Sequence, residues 1–268
     1  MIATDPLSIK AIRRGLQTSV VGRCLYLFGE VESTNTVLRR LARSGATEGT
    51  VVLAEGQRQG RGRLGQEWFS PSGVNLYASV LFRERLTPRE AALFSFVAGL
   101  ALADAVKEQG LQPAIKWPND VLVDTKKVAG SLVDCAIRGD AVDFLVLGVG
   151  VNLNVDPAAL HDALGEAAAA ATSLSAVSGR EIDRNAFAAC YLNRLDAWAL
   201  RYRTQGPASV LAAWRDRDIL TGRWVMVRGD DAGFDGRVLG VNDDGQLIVQ
   251  DSLGARHVIL TEEIRIVD

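Results

Sequence analysis

Four strand-like segments follow one another between Ala114 and Asn154, and the chain between them is too short for a helix. They are Ala114 to Trp117, Val121 to Val123, Lys127 to Ile137 and Val142 to Asn154. The composition of each segment is typical of a strand, and Arg138-Gly139-Asp140 favours a hairpin turn. Parallel neighbours would need a long crossover between them. These segments therefore predict an antiparallel or mixed sheet.

Other segments supply helices and two further strands. Thr87 and Glu90 have the spacing of a capping box around Pro88, which predicts a helix running through Ala105 to a stop at Gly110. The remaining predictions are strands over Thr50 to Glu55 and Val74 to Phe82, and helices over Thr36 to Arg43, Pro157 to Ala169 and Asp183 to Thr204. Together they predict an α+β fold with a mixed, largely antiparallel sheet flanked by helices.

The composition changes near Asp218. Beyond it, Trp224 to Arg228, Gly236 to Val241, Leu247 to Asp251 and His257 to Leu260 read as short strands with glycine- and aspartate-rich turns between them. This is the pattern of a small β-barrel. We predict two domains, residues 1–217 and residues 218–268.

The basic, glycine-rich loop from Gln59 to Trp68 contains Gly60-Arg61-Gly62-Arg63-Leu64-Gly65, a literal G-x-G-x-x-G. In a dinucleotide-binding fold a helix must begin at this loop, but here a strand is predicted to follow. We therefore exclude that fold. The loop still combines close backbone approach with the guanidinium groups of Arg58, Arg61 and Arg63, which suit an anionic ligand such as a phosphate. For the loop taken alone, a solvated arginine-rich hairpin remains an alternative interpretation. For Trp68 taken alone, a core position remains one.

A second polar cluster, Lys116-Trp117-Pro118-Asn119-Asp120, lies between two strands of the predicted sheet. Polar groups are costly to bury without partners, so this concentration favours a site. Lys127 begins the next strand and can return to the same edge, whereas Lys126 should point the opposite way. Gly148 to Asn152 ends another strand, which suits a ligand packed against backbone or, alternatively, a bulge.

Composition excludes several classes of protein. The 30 Lys and Arg against 32 Asp and Glu give a net charge of -2, so a dedicated nucleic-acid binder is not expected. Three widely spaced cysteines favour neither disulfides nor a zinc site and fit the cytoplasm. No apolar run of about 18 residues is present to cross a membrane. Neither histidine lies near a nucleophile motif, so triad hydrolysis is not expected.

Taken together, these segments resemble the biotin protein ligase family, the biotin–acetyl-CoA-carboxylase ligases. The resemblance is carried in order by Glu32-Ser33-Thr34-Asn35, Gln57 to Gln59, GRGRLGQEW, Asn75-Leu76-Tyr77, KWPNDVLV, KVAGSLVD, GVGVNLN and Thr172-Ser173-Leu174. It covers roughly residues 31–174. It implies a catalytic domain like that of class II synthetases and an SH3-like C-terminal barrel. Because only residues 1–31 precede the ESTN motif, we expect the monofunctional type, without the family's N-terminal DNA-binding domain.

The resemblance implies a two-step reaction. The biotin carboxylate attacks the α-phosphate of ATP, supplied with Mg²⁺, and pyrophosphate leaves. Biotinyl-5'-AMP then acylates one lysine of a biotin carboxyl carrier protein. No fixed protein metal site and no DNA or membrane partner are implied, and a homodimer is left open.

The resemblance also assigns site residues. The catalytic residues it implies are Arg61, Arg63, Asp120 and Lys127. The biotin-binding residues are Ser33, Thr34, Asn35, Gln57, Arg61, Gly62, Arg63, Lys127 and Gly130. The residues implied for ATP and the adenylate are Arg63, Trp68, Lys116, Asn119 and Asn152.

At one position the chain departs from the family, which commonly has an arginine where this chain has Gln66. One cation near the phosphates is then missing unless Lys116 or a distant arginine replaces it. Whether Glu263 and Arg265 reach the nucleotide stays open. The alternative functions are a lipoate-type ligase and a non-catalytic biotin sensor, and the GRGR loop, the KWPND segment and the Lys127 and Asp120 pair favour the biotin ligase.

Overall fold

The computed structural model describes residues 5–228, 233–260 and 262–267. Its larger sheet has seven strands in the order β1-β2-β3-β7-β6-β5-β4. These are β1 (Cys24–Val31), β2 (Thr50–Gln57), β3 (Leu76–Phe82), β4 (Pro113–Lys116), β5 (Asp120–Val123), β6 (Lys126–Arg138) and β7 (Ala141–Val151).

The four strands predicted to follow one another are antiparallel neighbours, as expected. The sheet is mixed because β1 and β2 are parallel. The predicted fold class, a mixed and largely antiparallel sheet flanked by helices, is confirmed.

The described residues form eight α-helices. They are α1 (Ile9–Gly15), α2 (Thr34–Arg43), α3 (Pro88–Ala92), α4 (Phe94–Lys107), α5 (Pro157–Leu164), α6 (Leu174–Ser178), α7 (Arg184–Gln205) and α8 (Pro207–Arg215). The capping box of Thr87 and Glu90 is present, but the helix predicted from Pro88 is two helices that meet at Leu93. The helix predicted to reach Ala169 ends at Leu164, because Gly165 takes a positive φ of 56° and a 3-10 helix follows.

Both faces of the large sheet are covered, which explains why all seven residues of β3 are buried. On one face, the buried helix α4 packs among the sheet, α7 and α8 in the main core. On the other face, Leu38 of α2 packs with Leu81 of β3 and Val146 of β7 in a smaller cluster. The first turn of α2 is thereby placed against the middle of the sheet.

The second sheet has five antiparallel strands in the order β11-β10-β9-β8-β12. They are β8 (Trp224–Arg228), β9 (Phe234–Val241), β10 (Leu247–Asp251), β11 (Arg256–Ile259) and β12 (Glu263–Ile266). Ile115 of β4 accepts a hydrogen bond from the amide of Ile219 and donates one to Arg217, and Trp117 Nε1 donates to Gly245 O at 2.9 Å. The junction between the two sheets is therefore hydrogen-bonded to the large sheet. The division of the chain at residue 218 stays a prediction.

Within the described residues, no helix is both long enough and apolar enough to span a bilayer.

A buried ion pair ties the N-terminal segment to the sheet. The Arg184 side chain is 1% exposed, and its Nη1 lies 2.7 Å from Glu55 Oε2. The same guanidinium donates to the carbonyl of Asp5, while the other oxygen of Glu55 accepts from the amide of Leu7. The Arg184 guanidinium of α7 and its partner Glu55 of β2 therefore hold residues 5–7 in place.

We predict that Arg184→Met lowers the free energy of unfolding by about 3–5 kcal/mol, because Glu55 would keep its charge in a buried place without its partner. Denaturant unfolding measures this. The control is Arg40→Met, which breaks the exposed pair with Glu32 and should cost about 0–1 kcal/mol. Similar losses in both variants would contradict the assignment.

Candidate functional site

A cavity of about 1290 Å³ lies at one face of the large sheet, beside the C-terminal sheet. Its walls come from the start of α2, the loop after β2, the β4–β5 turn, β6, β7 and residues 262–266. The sequence-predicted site residues that line it are Ser33, Thr34, Asn35, Gln57, Arg61, Gly62, Arg63, Trp68, Lys116, Asn119, Asp120, Lys127 and Gly130. The fold thus collects in one space residues that are nearly a hundred positions apart in the chain.

One wall of the cavity is a hydrogen-bonded network at the N-terminus of α2. Gln57 Oε1 accepts from the backbone amide of Thr34 at 2.9 Å and from its hydroxyl at 3.2 Å. The Ser79 hydroxyl, fully buried on β3, lies 2.7 Å from Thr34 Oγ1 and 2.6 Å from Asn35 Oδ1. Ser33 precedes the helix, and its hydroxyl makes no capping bond. Short polar side chains in this arrangement suit a compact ligand with both N–H and C=O groups.

The glycine-rich loop does not begin an α-helix. A single 3-10 turn, Arg63–Gly65, lies within the loop, and after a further turn at residues 72–74 the next element is the strand β3, as the sequence predicted. The Arg61 guanidinium lies 2.7 Å from Asp134 of β6. This pair ties the loop to β6 of the large sheet.

Arg63 reaches deeper than Arg61. Its guanidinium carbon lies 5.8 Å from the centre of the Trp117 ring, and burial lowers its pKa while the charges of Asp120 and Glu262 oppose that shift. Arg58 instead pairs with Glu30 and is not among the lining residues. The expectation that three arginines of this segment grip the ligand is therefore wrong for Arg58, because its place in the chain directs it to the outer edge of β1.

Lys127 and Asp120 form an ion pair of 2.6 Å in the cavity. The Lys127 ammonium also lies 5.2 Å from the centre of the Trp68 ring, while Lys126 is exposed, as the strand alternation predicted. Burial lowers the pKa of the nearby Lys116, with the Asp120 charge opposing the shift and the Lys127 charge adding to it. The Asp120 carboxylate therefore interacts with three cations, Lys127, Lys116 and Arg63, and this local excess of positive charge favours binding of an anion.

Glycines form the floor of the cavity. A methyl group on Gly150 would overlap the Trp68 indole, and one on Gly130 would lie 3.3 Å from the same ring. A methyl group on Gly148 would overlap the amide of Asn35. The strand glycines predicted to allow close approach of a ligand thus also allow close approach of two site side chains.

Asn152, which the resemblance assigns to ATP and the adenylate, does not line the cavity. Its side chain is buried, and Nδ2 donates to Thr172 O at 3.1 Å, which joins the end of β7 to the segment before α6. Asn119 does line the cavity, and it also joins the β4–β5 turn to β6 by donating to Ser131 O. Contact of Asn152 with a nucleotide stays a prediction.

The sequence reasoning missed two side chains and left one segment open. Ser79 and Asp134 complete the polar network, but each looks in sequence like an ordinary strand residue. Glu263 and Arg265 of β12 line the cavity, with Arg223 beside them. Gln66, where the family commonly has arginine, also lines it, and its carbonyl accepts from the amide of Gly62.

Residues 27–152 match the model of the Biotin/lipoate A/B protein ligase family. The chain is 31% identical to the bifunctional ligase/repressor of Bacillus subtilis over 94% of its own length and 77% of that protein. It is 34% identical to the biotin–[acetyl-CoA-carboxylase] ligase of Paracoccus denitrificans, over 89% of this chain and 98% of that protein. Among solved structures, the biotin protein ligase of Aquifex aeolicus in complex with biotin and ATP aligns with a TM-score of 0.74 at 26% identity, over 91% of this chain and 99% of that chain.

We predict that Gly148→Ala lowers the free energy of unfolding by roughly 1–3 kcal/mol, because the new methyl group would force Asn35 out of its hydrogen bonds with Ser79 and Asp134. Chemical denaturation measures the change. The control is Gly29→Ala on β1, where a methyl group would meet no heavy atom within 4 Å. If both variants are as stable as the unchanged protein, the close packing of Asn35 on Gly148 is disproved.

Proposed function

The chain belongs to the Biotin/lipoate A/B protein ligase family, and we propose the following chemistry for its cavity. The function supported by its relatives is that of an ATP-dependent biotin protein ligase. The observation that carries the proposal is that one cavity joins the network around Thr34 and Asn35 to the cations Arg61, Arg63 and Lys127. A ligand with a polar ring system at one end and an acyl phosphate at the other fits both parts.

In the first step, a carboxylate oxygen of biotin forms a bond to the α-phosphorus of ATP, and the bond to pyrophosphate breaks. Arg63, half-buried beside Trp117, is placed to neutralise the charge that gathers on the α-phosphate, and Arg61 supports it from the loop. Lys127 attracts the carboxylate and then the mixed anhydride. Positioning and charge neutralisation supply most of the rate increase in this scheme.

In the second step, the amine of the acceptor lysine attacks the biotinyl carbonyl, a C–N bond forms and AMP leaves. Asp120 is our candidate for orienting that amine or accepting its proton. Its pairing with Lys127 supports this role, because the carboxylate is held at the reacting end of the cavity. Engagement of Lys127 with the adenylate would release Asp120 for the incoming amine.

We assign the nucleotide to the part of the cavity near Trp68, Lys116 and Asn119, with Gly130 and Gly62 leaving room for the linkage between biotin and AMP. The stacking face of Trp68 and the cationic Lys116 suit a base and phosphates, respectively. Glu263 and Arg265 lie in the wall of the same cavity, and their contact with the nucleotide is left open.

Mg²⁺ is proposed only as the counter-ion that enters with ATP. No three His, Cys, Asp or Glu side chains are grouped to hold a metal ion in the part of the chain that the structure describes. We therefore derive no step from a protein-bound ion.

The partner we propose is a biotin carboxyl carrier protein of a biotin-dependent carboxylase, in line with the names of the relatives. The three free cysteines are consistent with the cytoplasm. Lack of DNA binding remains a prediction, and solution measurements decide between a monomer and a homodimer.

Pyrophosphate release with each acid tests the function. We expect release from ATP with biotin and not with lipoate, followed by transfer of labelled biotin to a carrier domain. Release with lipoate alone would favour a lipoate-type ligase. Binding of biotin without release or transfer would favour a sensor.

Lys127→Ala should reduce biotin-dependent pyrophosphate release by at least roughly a hundredfold, because the cation opposite the reacting carboxylate is lost. The adjacent Lys126→Ala is the matched control and should retain the rate, since that side chain is exposed and points away from the cavity. Thermal unfolding of both variants checks the fold. Normal adenylation by the Lys127 variant would rule out its assigned role.

A further inference from the structure

The carboxylate of Asp134 joins two side chains that approach from different sides of the cavity. Asp134 lies on β6, with 21% of its side chain exposed, and is not itself among the lining residues. Its Oδ2 accepts from Arg61 Nη2 at 2.7 Å and from Asn35 Nδ2 at 3.0 Å. Arg61 comes from the glycine-rich loop and Asn35 from the first turn of α2.

This arrangement fixes the orientation of the Asn35 amide. An ionised carboxylate can only accept hydrogen bonds, so the NH₂ group of Asn35 must face Asp134. The carbonyl oxygen of Asn35 then faces the hydroxyl of Ser79 at 2.6 Å, which can donate to it. If the Asn35 amide were turned over, its oxygen would face the Asp134 carboxylate with no hydrogen between them. Its NH₂ group would then have to donate to the Ser79 hydroxyl.

The same carboxylate holds Arg61. The Arg61 guanidinium is 42% exposed, and a long side chain on a loop loses conformational freedom when it is held in one place. A bond between a guanidinium and a carboxylate is charge-assisted and stronger than a neutral one. The bond to Asp134 thus offsets the conformational entropy that Arg61 loses when its side chain is held over the cavity.

We propose that Asp134 is a positioning residue for biotin: it sets the Asn35 amide and anchors Arg61, so that both ends of the biotin site are arranged before the ligand enters. This rests on the proposed function, in which Asn35 lies at the biotin ring and Arg61 lies at the end that carries the carboxylate and the α-phosphate. Because Asp134 acts through these two side chains, replacing it should weaken biotin binding less when one of them is already absent.

Calorimetric titration of biotin into the full chain tests the proposal. Asp134→Ala should raise the Kd for biotin roughly tenfold to a hundredfold, because a charge-assisted bond and the order of the Asn35 amide are lost together. Asp134→Asn should cost less, because an amide oxygen can still accept from both partners. In steady-state assays the KM for biotin should rise more than kcat falls. The control is Asp143→Ala, which removes the partner of Arg138 at the far end of the β6–β7 hairpin and should leave the Kd unchanged.

A double-mutant cycle separates positioning from general damage to the fold. In an Arg61→Ala background, Asp134→Ala should weaken biotin binding several-fold less than it does in the unchanged protein. An unchanged Kd in Asp134→Ala, or an identical fold-loss in both backgrounds, would overturn the inference while leaving the ligase function standing. Failure of the unchanged protein to bind biotin would instead overturn the proposed function and this inference with it.

Discussion

The structure of the site depends on the packing of the first turn of α2 against the middle of the large sheet. Leu38 and Ala42 anchor the helix in the apolar cluster with Val52, Leu81 and Val146. The N-terminal residues Thr34 and Asn35 then meet Ser79 and Gln57 at hydrogen-bonding distance. Since buried polar groups are costly unless they are paired, this network fixes the register of the helix and leaves a ligand-sized polar wall.

Charge is the second constraint, and it is local. The whole chain has a net charge of -2, yet Arg61, Arg63, Lys116 and Lys127 line one cavity. Carboxylates balance this charge in the structure, Asp120 beside Lys127 and Asp134 beside Arg61. An anionic ligand can take over part of that balance, which would free Asp120 for the acceptor amine. The net charge of the whole chain therefore does not predict the local charge of its site.

Much of the fold could be predicted because its signals are local. The strands from β4 to β7 have compositions typical of strands and are joined by short turns, so their antiparallel pairing follows from the spacing. β1 was missed because CLYLFGEV contains a glycine and a glutamate and lies at the edge of the sheet, where burial is partial. α5 ended earlier than its alanine-rich continuation indicated because Gly165 takes a positive φ.

The site was less predictable where it depends on contacts between distant segments. Ser79 looks in sequence like one polar residue of a strand, and only the packing of α2 gives it two partners. Asp134 is 73 residues from Arg61, and residues 262–266 reach the cavity through the second sheet. Motifs identified the side chains that face the ligand, but the side chains that hold them in place required the structure.

The most direct test of this account is a crystal structure with a hydrolysis-resistant analogue of biotinyl-AMP. The account predicts the biotin ring within about 3 Å of polar atoms of Thr34 and Asn35, and the phosphate at similar distances from Arg63. It also predicts that Asp134 keeps its bonds to Asn35 and Arg61 with the analogue bound. A biotin ring bound away from the start of α2, or a phosphate that no arginine of the loop approaches, would contradict it.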